Sequence, residues 1–234
     1  MGDTGIGSGI GLICDVMRPR ECRARSDFDI RHLVTTDVTY QLPFGRGRMF
    51  AASVPHWTDE LIGNWDLSGI AEYHTGLPWS TSSLAFVASY SNDAPAIFIG
   101  SDPSVIANHI TKLPGGGVSD FKDASTAAAS FEGPLGFQIG PRNQMTGPGF
   151  FNLDMGLQKM FPLYEAVNLK FRADAFNALN HPNFGLPVNN GYNGLDQMDI
   201  LQGPGFGAIS NTVSPPGNLN SGARVLQLSL RLEF

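Results

Sequence analysis

The segment Arg224–Phe234 alternates without a break. Leu226, Leu228, Leu230, Leu232 and Phe234 occupy one parity, and Gln227, Ser229, Arg231 and Glu233 the other. Successive side chains of a strand point to opposite faces, so the segment predicts a strand with one wholly apolar face. Its 11 residues, at about 3.3 Å each and a tilt of roughly 40°, reach about 28 Å along a membrane normal. That is close to a hydrocarbon thickness of about 30 Å. Strands of soluble proteins average about 5–6 residues.

Four other segments carry the same period. In 28–42, Val34, Val38, Tyr40 and Leu42 oppose Thr35, Asp37, Thr39 and Gln41. In 65–77, Trp65, Leu67, Ala71 and Tyr73 oppose Asp66, Ser68, Glu72 and His74, with Ile70 as an apolar exception. In 151–161, Phe151, Leu153, Met155 and Leu157 oppose Asn152, Asp154, Gly156 and Gln158. In 167–179, Val167, Leu169, Phe171, Ala173 and Ala175 oppose Asn168, Lys170, Arg172 and Asp174. With 224–234 these make five long strands. Helical periodicity is weak throughout.

The links alternate too. Residues 43–64 and 162–166 are shorter, while 78–150 and 180–223 are long and rich in Gly, Pro, Asn and Ser. A compact soluble domain rarely carries two loops of that length, whereas transmembrane barrels combine short periplasmic turns with long extracellular loops. A periplasmic C-terminus then sends the fifth strand inward and the fourth outward, and puts both long loops outside. Tyr40, Trp65, Tyr73, Phe151 and Phe161 fall near strand ends, as in an interfacial girdle. The expected fold class is therefore all-β: an antiparallel meander of about five long strands from a transmembrane β-barrel, with residues 1–27 as an extracellular loop or a fragment's leader and 28–234 as barrel strands.

Composition agrees. Charged residues are only 15%, with Gly 28, Pro 16 and Phe 16, against roughly 25% charged in a typical soluble domain. The net charge of -6 and the lack of a basic run give no attraction for nucleic acid. No apolar stretch reaches the ~18 residues of a transmembrane helix. No signal peptide is visible, and the start is expected to belong to a fragment. Cys14 and Cys22 alone lack the ligands for zinc. They leave two alternatives, a short-loop disulfide in an oxidising compartment or two free thiols.

A resemblance adds to this reading. The terminal Phe234 behind Leu226, Leu228, Leu230 and Leu232 resembles the C-terminal signature of outer-membrane proteins, which the barrel-assembly machinery recognises. The segments Ser26–His32, Tyr40–Gly45, Trp65–Ile70, Thr75–Pro78 and Gly147–Asp154 resemble late barrel strands of TonB-dependent receptors with an N-terminal carboxypeptidase-regulatory-like domain. The most specific match runs over 171–184, in Phe171, Arg172, Asp174, Phe176, Asn177, Asn180, His181, Pro182 and Phe184. The resemblance implies a 22-stranded barrel in the cell outer membrane, a plug inside it, and nutrient uptake energised through a TonB complex. This chain has room for about five strands, with no plug and no TonB-contacting segment. Its expected partners are thus outer-membrane lipid, the remaining strands and plug of a longer parent, the assembly machinery and, through the missing part, the TonB complex.

No catalytic constellation stands out: there is no nucleophile elbow, phosphate loop or His-Glu-x-x-His. No enzyme activity, cofactor or metal is expected. Glu72 and His74 share the expected lumen face, where a solvated wall is the default reading. Asp66, Asp154, Lys170, Arg172 and Asp174 line the same face, with cross-strand charge pairing expected. His32 and His181 read as structural, and His56 and His109 lie in links. The alternative function is a soluble or surface β-sandwich for binding or adhesion, which requires further alternating strands in 78–150.

Overall fold

The computed structural model describes residues 18–83, 94–113, 116–164, 167–187, 197–214 and 222–234. Cys14 and the side chain of Cys22 lie outside the described residues, and the candidate disulfide with them. The chain divides into two compact units, one of 32–74, 150–183 and 213–234 and one of 1–31, 75–149 and 184–212.

The first unit is a five-stranded sheet: β1 (Leu33–Gln41), β2 (Trp65–His74), β3 (Phe150–Tyr164), β4 (Val167–Phe176) and β5 (Val225–Glu233). Strand order follows chain order and every pairing is antiparallel. Directly opposed residues share a face, so the register sets the chemistry of each side. Tyr40, Leu67, Leu157, Ala173 and Leu228 form one row across all five strands. The next row is Thr39, Ser68, Gly156, Asp174 and Gln227. The period-2 patterns of the separate segments therefore line up into one apolar and one polar face. On the apolar face, Val34, Val38, Tyr40, Tyr73 and all four β5 leucines are exposed, Leu228 to 72%. Pro162 falls inside β3, a central strand, where a proline would normally break the ladder. The register shifts by one residue between Val167 and Asn168, opposite that proline, and such a bulge is where a strand tolerates it.

The link between β1 and β2 holds a short helix, α1 (His56–Ile62). At the opposite end of the sheet, β4 stops at Phe176 because Asn177 turns into the left-handed region at φ 47°.

The second unit shows order where the sequence reads as hardly periodic loop. The segment Pro78–Ser82 is buried throughout, pairing antiparallel with Met145–Thr146 and parallel with Gln197–Asp199. Trp79, Phe121, Phe131, Met145 and Phe206 form its core, with Ala96, Ala127 and Ala128. Phe121 and Phe206 stack at 5.1 Å between ring centres. The helix α2 (Ala124–Ala129) starts at Asp123, whose carboxylate accepts from the Ser125 and Thr126 amides at 3.0 and 3.1 Å. Residues 18–31 belong to this unit: Arg25 Nη2 donates to the carbonyls of Asn143 and Met145, both at 2.8 Å, and Asp27 accepts from Asn143 Nδ2 at 2.6 Å.

Candidate functional site

The polar face gathers Asp66, Glu72, His74, Asp154, Lys170, Arg172 and Asp174, as their parity requires. Their pairing differs from the expected cross-strand pattern. Arg172 Nε reaches both carboxylate oxygens of Asp174 along one strand, at 2.9 and 2.8 Å, and Arg231 pairs with Glu233 in the same way at 3.6 Å. Across the strands, Lys170 stands directly opposite Arg231, a like-charge juxtaposition. Residues two apart on a strand share a face. That geometry satisfies both pairs without help from neighbours and leaves two cations facing each other. Gly156 makes room for the arrangement, since a Cβ there would meet Ser68 Oγ at 2.6 Å and Asp174 Oδ1 at 2.8 Å. The His74 ring stacks on Phe150 at 4.9 Å between ring centres and 5° between planes. Among the described residues no three His, Cys, Asp or Glu side chains are grouped to hold a metal ion.

The residues after β4 form a knot of asparagines. Asn177 is fully buried. Its Oδ1 accepts from the His181 amide at 2.9 Å, and its Nδ2 donates to the carbonyls of His181 and Gly222 at 2.9 and 2.5 Å. Its own amide donates to Asp154 Oδ1 at 2.8 Å. Asn180, also left-handed at φ 52°, accepts from the Arg224 amide at 3.2 Å. Asn183 serves Phe151 as a strand neighbour would: Oδ1 accepts its amide at 2.8 Å and Nδ2 donates to its carbonyl at 2.9 Å. His181 packs edge-on against Phe151 at 5.9 Å. Phe171 and Trp65 meet edge to face at 5.9 Å on the apolar side, and Phe176 lies opposite Val225 on the polar side. Phe184 lies in the second unit, bridged to Thr212. Of the link histidines, His56 has a partner that the linear pattern does not show, Glu60 one helical turn on at 3.2 Å.

Lys159 is the residue that sequence reasoning passes over. The clear alternation of the third segment ends at Leu157 and Gln158, yet position 159 has the parity of the apolar rows. There it is the one charge among the described strand residues on that face. Its side chain is nearly buried, with 3% exposed. Nζ donates to the Gly63 carbonyl and lies 5.6 Å from the Trp65 ring and 5.0 Å from the Phe161 ring, within cation–π range.

In the second unit, burial pushes the Asp120 carboxyl up to about 8, against the opposing effect of hydrogen bonds from Trp79 and Asn108. The exposed Asp102 and Asp123 carboxyls are held below the usual carboxylate range by hydrogen bonds from Ser104 and from Thr126 and Ser125.

The family described as outer membrane beta barrel domain matches residues 2–227. No curated protein and no solved structure matches the chain. The match covers all of β1 to β4, and the sheet it covers has the two-faced register of a barrel wall. The chain belongs to the outer membrane beta barrel domain family, and its place is the outer membrane.

Proposed function

We propose that the sheet is a stretch of wall from a TonB-dependent receptor for nutrient uptake, of the class carrying a carboxypeptidase-regulatory-like domain. The observation that carries the wall is the pair of neighbouring rows, one apolar and one polar, that run unbroken across five strands; the receptor class rests on the resemblance of residues 171–184. The apolar row faces lipid and the polar row the lumen. Among the described residues β1 and β5 are the edge strands of the sheet, and each unpaired backbone group costs several kcal/mol in hydrocarbon. Further strands of a longer parent pair with both edges, a plug fills the lumen, and a TonB complex energises uptake through that plug. The barrel-assembly machinery engages the β5 segment. The chain carries out no catalysis of its own in this role.

The test is to express the chain with an added signal peptide and to fractionate the cells. Retention in the outer membrane after urea extraction, with heat-modifiable migration, is the expected result. A soluble, folded, detergent-independent product would overturn the reading in favour of a binding module. The two faces give a sharper check. Leu228→Arg puts a charge on the lipid side and is expected to destabilise the inserted sheet by about 2–4 kcal/mol, whereas Gln227→Arg, on the lumen side, costs little. Equal effects at the two positions in a denaturant titration would contradict the assignment of faces.

A further inference from the structure

The end of the sheet that bears the 43–64 link has two characters side by side. α1 presents Trp57 and Leu61, four residues apart and therefore on one helical face, exposed to 67% and 59%. Met49, Phe50, Leu163 and Tyr164 at the same end are exposed as well. Beside them lies a pocket of about 280 Å³ whose lining includes His56, Asp59, Glu60, Asn64, Lys159 and Phe161. Exposed aromatic and aliphatic groups do not belong in bulk water, and a lysine with two nearby carboxylates does not belong in hydrocarbon. Both suit the headgroup level of a bilayer, where amphipathic rings and snorkelling lysines gather.

Lys159 shows which side the pocket serves. It shares the apolar face with Trp65 and Phe161, so the pocket opens at the rim of the face that meets lipid. The lining offers Lys159 and His56 with two carboxylates, Glu60 pairing with His56 at 3.2 Å and Asp59 accepting from the Arg46 amide, in a space just below the usual size of ligand pockets, about 300–1,000 Å³. A headgroup fits there, while a whole lipid does not. Two carboxylates disfavour an anionic headgroup, and Lys159 disfavours a purely cationic one.

We propose that this pocket binds the headgroup of a zwitterionic phospholipid, a phosphodiester bearing a primary ammonium such as phosphatidylethanolamine. Lys159 takes the phosphate, the ammonium takes the place of His56 at Glu60 beside Asp59, and the acyl chains run along the apolar rows. The proposal rests on the apolar face being the lipid face.

The experiment uses the full chain in non-ionic detergent micelles and native mass spectrometry, titrating short-chain phosphatidylethanolamine, short-chain phosphatidylglycerol and free phosphoethanolamine. The expected result is saturable one-to-one binding of phosphatidylethanolamine, at least ten-fold tighter than phosphatidylglycerol, with free phosphoethanolamine a competitor at least ten-fold weaker than the lipid. Lys159→Gln is expected to weaken it at least ten-fold. Glu60→Gln, a change at a half-exposed helix position that leaves the sheet intact, is expected to shift preference towards phosphatidylglycerol. Equal binding of the two lipids, or no effect of either variant, would overturn the proposal. Binding of free phosphoethanolamine as tightly as the lipid would overturn it too, by marking the pocket as a site for a soluble phosphate. Failure of the lipid-facing reading itself looks different: the chain would then stay folded and soluble without detergent.

Discussion

Asn177→Ala is expected to destabilise the sheet by about 4–6 kcal/mol, enough to abolish recovery of folded chain from refolding. Two costs add. Alanine at φ 47° sits in the left-handed region, which costs a residue other than Gly or Asn roughly 1–2 kcal/mol. The substitution also removes the side chain that satisfies the buried Gly222 carbonyl, which costs about 1–3 kcal/mol when left without a partner, and the two part-buried bonds to the His181 amide and carbonyl, each a net contribution of about 0.5–1.5 kcal/mol. Asn177→Gly separates the two costs, since glycine accepts the backbone angle at little penalty. It is expected to recover only the first 1–2 kcal/mol. Urea unfolding followed by far-ultraviolet circular dichroism reads both variants. If glycine restored the stability fully, the knot's hydrogen bonds would contribute nothing. If alanine were tolerated, the asparagine would serve some purpose other than holding the end of β4.

This knot shows how much the linear pattern discloses. The five strands are legible because little except a strand produces period-2 alternation over nine or more residues, and their register follows once apolar parity has to match across neighbours. The asparagines after β4 are visible as a motif carried by resemblance. Their physical task is not, because a side chain that stands in for a strand neighbour, as Asn183 does for Phe151, leaves no periodic trace. Lys159 is legible in principle: continuing the parity two residues past Leu157 puts a charge in the apolar rows. The pairing of Arg172 with Asp174 escapes a search for charges matched across strands, because the nearest opposite charge lies two residues along the same one.

The second unit is illegible for a different reason. Its strands are two to five residues long, too short to show a period. Its core is assembled from aromatic residues far apart in sequence, Trp79, Phe121, Phe131 and Phe206. The alanine run of α2 resembles loop composition until two of its residues, Ala127 and Ala128, are seen against that core. Long glycine- and proline-rich links therefore hold a folded unit without any alternation, and that composition does not distinguish a barrel's loops from a small domain.

That unit is expected to lose stability as pH rises from about 4 to about 8, with Asp120 responsible. The carboxyl is fully buried. Trp79 Nε1 donates to its Oδ2 at 3.2 Å and Asn108 Nδ2 to its Oδ1, yet desolvation outweighs both and raises it to about 8. In the unfolded chain an aspartate titrates near 3.9. Between these values the folded state binds a proton that the unfolded state has released, so unfolding becomes easier with each pH unit, by up to about 1.4 kcal/mol. The contribution is fully present below about pH 4 and is gone above about pH 8. Asp102 and Asp123, lowered from the usual range, act in the opposite direction and only at pH values below about 4. Asp120→Asn stays neutral at every pH. It keeps the Trp79 hydrogen bond, and the Asn108 amide can reverse to accept from the new NH₂ group. Urea titrations read by Trp79 emission, with Trp57 and Trp65 replaced by Phe, are expected to show the parent falling steeply between pH 5 and pH 8 and Asp120→Asn staying flat relative to it. The difference between the two curves cancels the histidines, which titrate in both. Parallel curves would mean that Asp120 is ionised in the folded unit, with its two N–H donors outweighing burial.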